Sequence, residues 1–326
     1  MTRIRELDAL RGFAVGGIML VNTWQHAAHE PRTGIDWTIE ALFQSRFYPI
    51  FSLLFGISFV LFLDRTRSRW ALVRRLLWLL CFGLAQHTFY EGEVLTDYAL
   101  YGLAVLLPAS LLSSGLAALR PGSFLGGGVP VLVLGVAATV WATAQGAGPL
   151  LIPGLFLIGM GLMRLRPPRR LLAPAFAVSA LASALLTATW AGVGGGPGAG
   201  DWTVYSVAAL AGAAAYTTGV LLVLRPWLSA LLEPLGRMAL TNYVTGTAVI
   251  VLCTTPLKTD PTRWSVLAVA LTTVVAQVLF SGWWLTRYRY GPLEWIWRCL
   301  TWFRRVPNRL ESGRDHNRPL PDPGLP

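Results

Sequence analysis

The chain has 326 residues, of which 54% are hydrophobic and only 13% charged, with a formal net charge of +11. Soluble domains carry roughly 25% charge, so half of the usual solubilising groups are missing. Apolar runs of about 20 residues, the thickness of a bilayer core, replace a pair of soluble domains with one membrane domain. The mean hydropathy is +0.53. Fourteen Trp and nine Tyr suit the membrane interface, where amphipathic rings accumulate. The excess positive charge then reads as topogenic arginine, and nucleic acid is not expected as a partner.

In chain order, apolar segments fall near residues 9–26, 47–63, 74–90, 94–114, 124–144, 149–163, 171–193, 202–224, 238–256 and 264–285. They predict an all-α polytopic transmembrane helix bundle of about ten spans, N-in and C-in. With that orientation, 23 of the 27 basic residues lie inside, and only Arg32, Arg46, Lys258 and Arg263 lie outside. This is the positive-inside bias, and an odd number of spans would spoil it. Loops 27–46 and 90–96 are then external. Arg3 and Arg5 before an apolar stretch imitate a secretory signal, but Asp8 and Arg11 lie within it, so it is read as an uncleaved first helix. The transmembrane domain is expected over residues 1–305, and the polar, proline-rich stretch 306–326 is expected to be a disordered cytoplasmic tail. Cys81, Cys253 and Cys299 lack CxxC or Cys/His spacing, so neither a metal site nor a disulfide framework is expected.

Ionisable and amide residues inside spans usually face the bundle interior and often mark function. On the first helix, Asp8, Arg11, Asn22, His26 and His29 fall within an arc of about 60° at 100° per residue. The outer pair lies about 20–27 Å from the inner pair. A polar stripe therefore crosses the membrane, or else Asp8 and Arg11 snorkel at one interface while the histidines meet water at the other. In AQHTFYEGEVLTDYALYGL (85–103), His87 stands among Glu91, Glu93 and Asp97. A carboxylate on one imidazole nitrogen raises basicity at the other, as a general base requires; a solvated acidic loop is the alternative. Late in the chain, GRMALTNY (236–243) brings Asn242, and RYRYGPLEWIWR (287–298) brings Arg287, Arg289 and Arg298 among aromatics. That surface suits a phosphate-bearing ligand or anionic lipid.

These stretches carry a resemblance. LDALRGFAVGGIMLVN (7–22), FYPIFSLLFGISF (47–59), GRMALTNY, RYGPLEWIWR (289–298) and the run from His87 to Leu100 resemble the bacterial membrane family typified by YeiB, over most of residues 1–303. That family is in turn similar to heparan-α-glucosaminide N-acetyltransferase, within a proposed transmembrane acyltransferase superfamily. The resemblance implies a multi-pass plasma-membrane protein that moves an acyl group, such as acetyl, from cytosolic acyl-CoA to a hydroxyl or amine acceptor at the outer face. It implies acyl-CoA as co-substrate and no metal. Asn22 matches an active-site asparagine, and His26 and His29 occupy the region of the catalytic histidine at shorter spacing. His87 competes with both, with Glu93 and Asp97 as supporting carboxylates. Arg11, Arg287 and Arg298 are the expected CoA contacts. Expected partners are the bilayer and a glycan, lipid or small-metabolite acceptor, with a homo-oligomer as an assembly. A small-molecule transporter or exporter and a non-catalytic membrane accessory protein remain the alternatives.

Overall fold

The computed structural model describes residues 4–27, 30–66, 68–111, 128–192 and 202–310. Among them every predicted apolar segment is helical. The first helix, α1 (Arg5–Gln25), runs through the bundle. A short α2 (Gly34–Leu42) and α3 (Phe47–Thr66) follow, then α4 (Arg69–His87) and α5 (Leu95–Leu111). The middle of the chain forms α6 (Gly128–Ala144), α7 (Leu151–Leu165), α8 (Leu172–Gly192) and α9 (Trp202–Val223). The C-terminal third forms α10 (Pro226–Arg237), α11 (Ala239–Leu252), α12 (Thr254–Thr259), α13 (Trp264–Leu285) and α14 (Pro292–Trp302).

Five helical stretches among the described residues are long and apolar enough to cross a membrane: 34–66, 148–165, 169–192, 202–223 and 264–285. Both α5 and α6 are apolar but shorter, whereas α1 and α4 carry the charges that make them informative. The predicted span 238–256 is corrected. It is the second limb of a broken pair, because α10 and α11 meet at an angle of 78°. Pro234 lies inside α10 and removes a ladder donor, and Met238 leaves helical geometry (φ −110°, ψ 32°). Asn242 takes up the freed polarity, its amide donating to Leu235 O and to Ser281 Oγ, each at 3.0 Å. The predicted external loop 27–46 also gains structure. Thr33 and Asp36 form a reciprocal cap that starts α2, the Thr-x-x-acid pattern at a helix N-terminus.

Around α1 pack α3, α10, α11 and α13. Its contact with α10 is backbone to backbone. A Cβ on Gly12 would lie 2.9 Å from Leu232 C, and one on Gly236 would lie 2.6 Å from Gly12 N and closer still to Asp8 O. Small residues permit such approach where helices associate by packing alone. By contrast α8 buries only Trp190, so it forms the outer, lipid-facing side. The main core joins α3, α4, α5 and α7 through Phe59, Leu76, Tyr98, Phe156 and Met160.

A buried ionic clasp closes the end of the bundle where α1 finishes. Arg263 and Asp36 pair at 3.3 Å, with side chains 0% and 1% exposed. Trp24 Nε1 also donates to Asp36 Oδ1 at 2.8 Å. At the opposite, basic end, α14 lies across the bundle. Glu294 accepts from Leu240 N–H (2.8 Å), Thr241 N–H (3.0 Å) and the Thr241 hydroxyl (2.6 Å). It thus satisfies orphan donors at the start of α11. Residues 306–310, expected to belong to the tail, are held by backbone hydrogen bonds. Arg289 N–H donates to Asn308 O and Leu310 N–H to Arg287 O, which fixes 306–310 against the turn before α14. Residues 311–326 lie outside the described residues.

Candidate functional site

The polar stripe on α1 has two furnished ends. At the basic end Asp8 is buried, 4% exposed, and pairs with Arg11 Nη1 at 2.8 Å. Arg11 Nη2 donates to Ser58 Oγ on α3. The pair therefore faces the neighbouring helix rather than snorkelling freely. Arg75 from α4 lies within electrostatic reach of Arg298, Arg11 and Glu294. Its guanidinium sits 3.5 Å from the Trp297 ring centroid, and Arg298 lies 4.3 Å from that of Tyr290. Arg75 thus links Arg11, Arg298 and Glu294 electrostatically, and Arg11 links on to Asp8. Asp8 is engaged with Arg11, and Glu294 is engaged in capping α11. The cluster keeps a positive excess, and aromatic rings orient two of its guanidiniums, Arg75 and Arg298.

The structure places Arg11 and Arg298 both within electrostatic reach of Arg75 but leaves Arg287 apart. Arg287 is exposed, 4.5 Å from the Trp283 ring centroid. Its place on the outer wall follows from its position two residues past α13, beyond the turn that directs α14 inward. Arg75 was the contact that the sequence reading passed over. Its signal was an arginine inside an apolar helix rather than in the loop before it.

At the other end, His26 Nδ1 lies 3.0 Å from the backbone oxygen of Asn22. A carbonyl only accepts, so Nδ1 carries the hydrogen and Nε2 of the neutral ring keeps its lone pair. The imidazole stacks on Tyr90, with centroids 4.8 Å apart and planes at 18°. Tyr90 is 2% exposed and its hydroxyl has no hydrogen-bond partner. Burial pushes that phenol up to about 12, so it stays a proton donor at neutral pH. One turn earlier, buried Gln86 donates from Nε2 to Thr247 Oγ1 at 3.0 Å, leaving Oε1 unpartnered. Tyr243 of α11 completes this wall, its hydroxyl accepting from Val94 N–H at 3.3 Å.

His87 is placed differently. It is exposed at the end of α4, as is Glu91. Glu93 Oε2 accepts from Leu95 N–H at 2.7 Å and Thr96 N–H at 3.1 Å. It thereby caps α5 instead of orienting an imidazole. Among the described residues no hydrogen bond or ion pair joins His87 to Glu91, Glu93 or Asp97. The 100° rotation between neighbours on a helix turns Gln86 into the bundle and His87 out. His29 lies outside the described residues. Asn22 is half-buried on the α1 face that leads to His26.

The family described as "Protein of unknown function (DUF418)" matches residues 161–304. The chain is 32% identical to the "Uncharacterized 39.9 kDa protein in amylase 3'region" of Bacillus acidopullulyticus, covering 96% of this chain and 98% of that one. It is 28% identical to the uncharacterized protein YeiB of Escherichia coli K12, over 92% of this chain and 97% of the relative. It is 26% identical to the uncharacterized protein YxaH of Bacillus subtilis 168, over 94% and 96% respectively. No solved structure matches.

Proposed function

For a chain that belongs to the YeiB-like DUF418 family of membrane proteins, we propose a transmembrane acyltransferase drawing on cytosolic acyl-CoA. The observation that carries this reading is the two-ended stripe on α1. Arg11 and Arg298 each lie within electrostatic reach of Arg75 at one end, and His26, bonded to the Asn22 backbone oxygen, stacks on Tyr90 at the other, about 22 Å away. The charge bias supports placing the arginine end in the cytoplasm and the histidine end outside, in the plasma membrane. CoA phosphates need cations, which Arg75 and Arg298 supply, while Arg11 guards the entry to the bundle.

At the outer end, His26 Nε2 takes the proton of a hydroxyl or amine acceptor as its oxygen or nitrogen attacks the thioester carbonyl. The Asn22 amide and the Tyr90 hydroxyl donate to the developing oxyanion. The imidazolium then returns the proton to the departing thiolate as the C–S bond breaks. One such donor is worth roughly 10²–10³ in rate. Gln86 Oε1 is left to position the acceptor's own N–H or O–H.

The test is single-turnover transfer from labelled acetyl-CoA to an envelope extract, with the protein in nanodiscs. His26→Ala should abolish transfer and leave acetyl-CoA binding unchanged by calorimetry. Arg75→Gln and Arg298→Gln should weaken binding, while Arg318→Gln should not. If His26→Ala and His87→Ala both transfer at the wild-type rate, the site assignment fails. If folded protein gives no calorimetric response to acetyl-CoA, the enzyme reading fails. The 78° break between α10 and α11 favours a second reading, a transporter, because broken helices bind substrates in such proteins. Flux of a labelled substrate into proteoliposomes without acyl transfer would select it.

A further inference from the structure

The chain reverses sharply after α14. Phe303 closes the helix in the left-handed region, φ 49°, with its N–H bonded to Cys299 O. A bulky residue is strained there. The reversal is nevertheless secured on both sides. Trp295 Nε1 donates to Val306 O at 2.7 Å, and Val306 N–H donates to Cys299 Sγ at 3.4 Å. Inside this hook lies an open groove of about 380 Å³, lined by Trp295, Cys299, Leu300, Phe303, Arg304 and Arg305. Its walls are mainly apolar and its rim is cationic. Phe303 leaves 67% of its surface exposed, and Arg74 stands 5.3 Å from its ring centroid. Arg304 and Arg305 are exposed. Between residues 283 and 310 the one acidic residue is Glu294, which is turned inward to cap α11.

We infer that this hook is a binding site for an anionic phospholipid. Arg304 and Arg305 hold the headgroup phosphate, and an acyl chain lies along Trp295, Leu300 and Phe303. The two halves of the groove need opposite things. The arginines call for an anion, and the exposed aromatic wall calls for hydrocarbon. A phospholipid joins both in one molecule, whereas a free anion would leave the wall wet and an apolar peptide would leave the charges bare. Depth agrees with this assignment. The stacked pair of Arg287 on half-exposed Trp283 marks the interfacial belt at the end of α13. The segment carrying Arg309 and Leu310 is fixed beside it, by Leu310 N–H on Arg287 O at 2.9 Å. Each arginine near an anionic surface is worth roughly a fivefold gain in binding.

The test is native mass spectrometry of the full chain in detergent, titrated with phosphatidylglycerol or phosphatidylcholine. Wild type should retain phosphatidylglycerol at least fivefold more tightly. The double variant Arg304→Gln/Arg305→Gln should lose that preference, and Arg314→Gln/Arg318→Gln should keep it. Phe303→Gly relieves the left-handed strain, so it should raise the melting temperature while weakening retention of both lipids. That combination separates lost binding from lost folding. Equal retention of both lipids, or a preference unchanged in the Arg304/Arg305 variant, overturns the inference. Full displacement of phosphatidylglycerol by inorganic phosphate also overturns it, since a free anion would then suffice.

Discussion

Replacing Gly236 by alanine puts a methyl group where two backbones already touch. Its Cβ would lie 2.6 Å from Gly12 N and 2.9 Å from Asp8 C. Asp8 O lies closer still, and contacts to carbon are comfortable only at about 3.5 Å, so α1 and α10 must part by more than about 1 Å, which forfeits half or more of each interfacial contact. Overpacking of this kind costs about 1–3 kcal/mol, offset by about 0.5–1 kcal/mol from the better helix propensity of alanine. Gly282 in α13 supplies the control, because nothing lies within 4 Å of its Cβ position. Gly282→Ala should therefore be neutral or slightly stabilising. The propensity term is common to both variants and cancels, so they should differ by about 1–3 kcal/mol in unfolding titrations in mixed detergent micelles. The shift moves Asp8 and Arg11 too, so acetyl-CoA affinity should fall in Gly236→Ala alone. Equal midpoints for the two variants would refute the claim that α1 is seated on α10 by glycine contact.

Four further outcomes are expected. Asp36→Ala takes the carboxylate from the fully buried Arg263 guanidinium, leaving it on the Asp260 and Pro31 carbonyls, and should destabilise by about 3–5 kcal/mol, measured in the same titration. Glu294→Ala orphans Leu240 N–H, Thr241 N–H and the Thr241 hydroxyl and should cost about 2–5 kcal/mol. Burial pushes the Glu294 carboxyl above its usual value. Its stabilising effect is thus complete at low pH and fades as pH rises through the raised value, a dependence that Glu294→Gln should abolish in melts at successive pH. Asp260 behaves oppositely. The Thr262 hydroxyl and the N–H groups of Ser265 and Thr262 hold it below its ordinary 3.8. Order in the 260–265 turn should persist above about pH 4 and fade as pH falls further. Hydrogen exchange corrected for intrinsic rates would show this in wild type and not in Asp260→Asn.

Composition and apolar run length settled the class of this protein, because a bilayer demands stretches that no soluble chain needs. The same periodicity placed Asp8, Arg11, Asn22 and His26 on one face of α1, since a single helix fixes its own register. What lay between helices was not legible. Glu93 reads as a partner for His87 in the chain, yet it is engaged by the Leu95 and Thr96 N–H groups. Local backbone donors win because they are closer and already aligned. Only the tertiary fold stacks His26, just past α1, on Tyr90 in the loop after α4, and only the path of α14 brings Arg298 within electrostatic reach of Arg75 while leaving Arg287 on the wall. The break at Met238 likewise joins the run that reads as a span of its own to α10, as the second limb of a bent pair. Sequence specifies which residues share a helix face. Which faces meet is a property of all the helices together, decided by where glycines let backbones approach and where buried polar groups find partners.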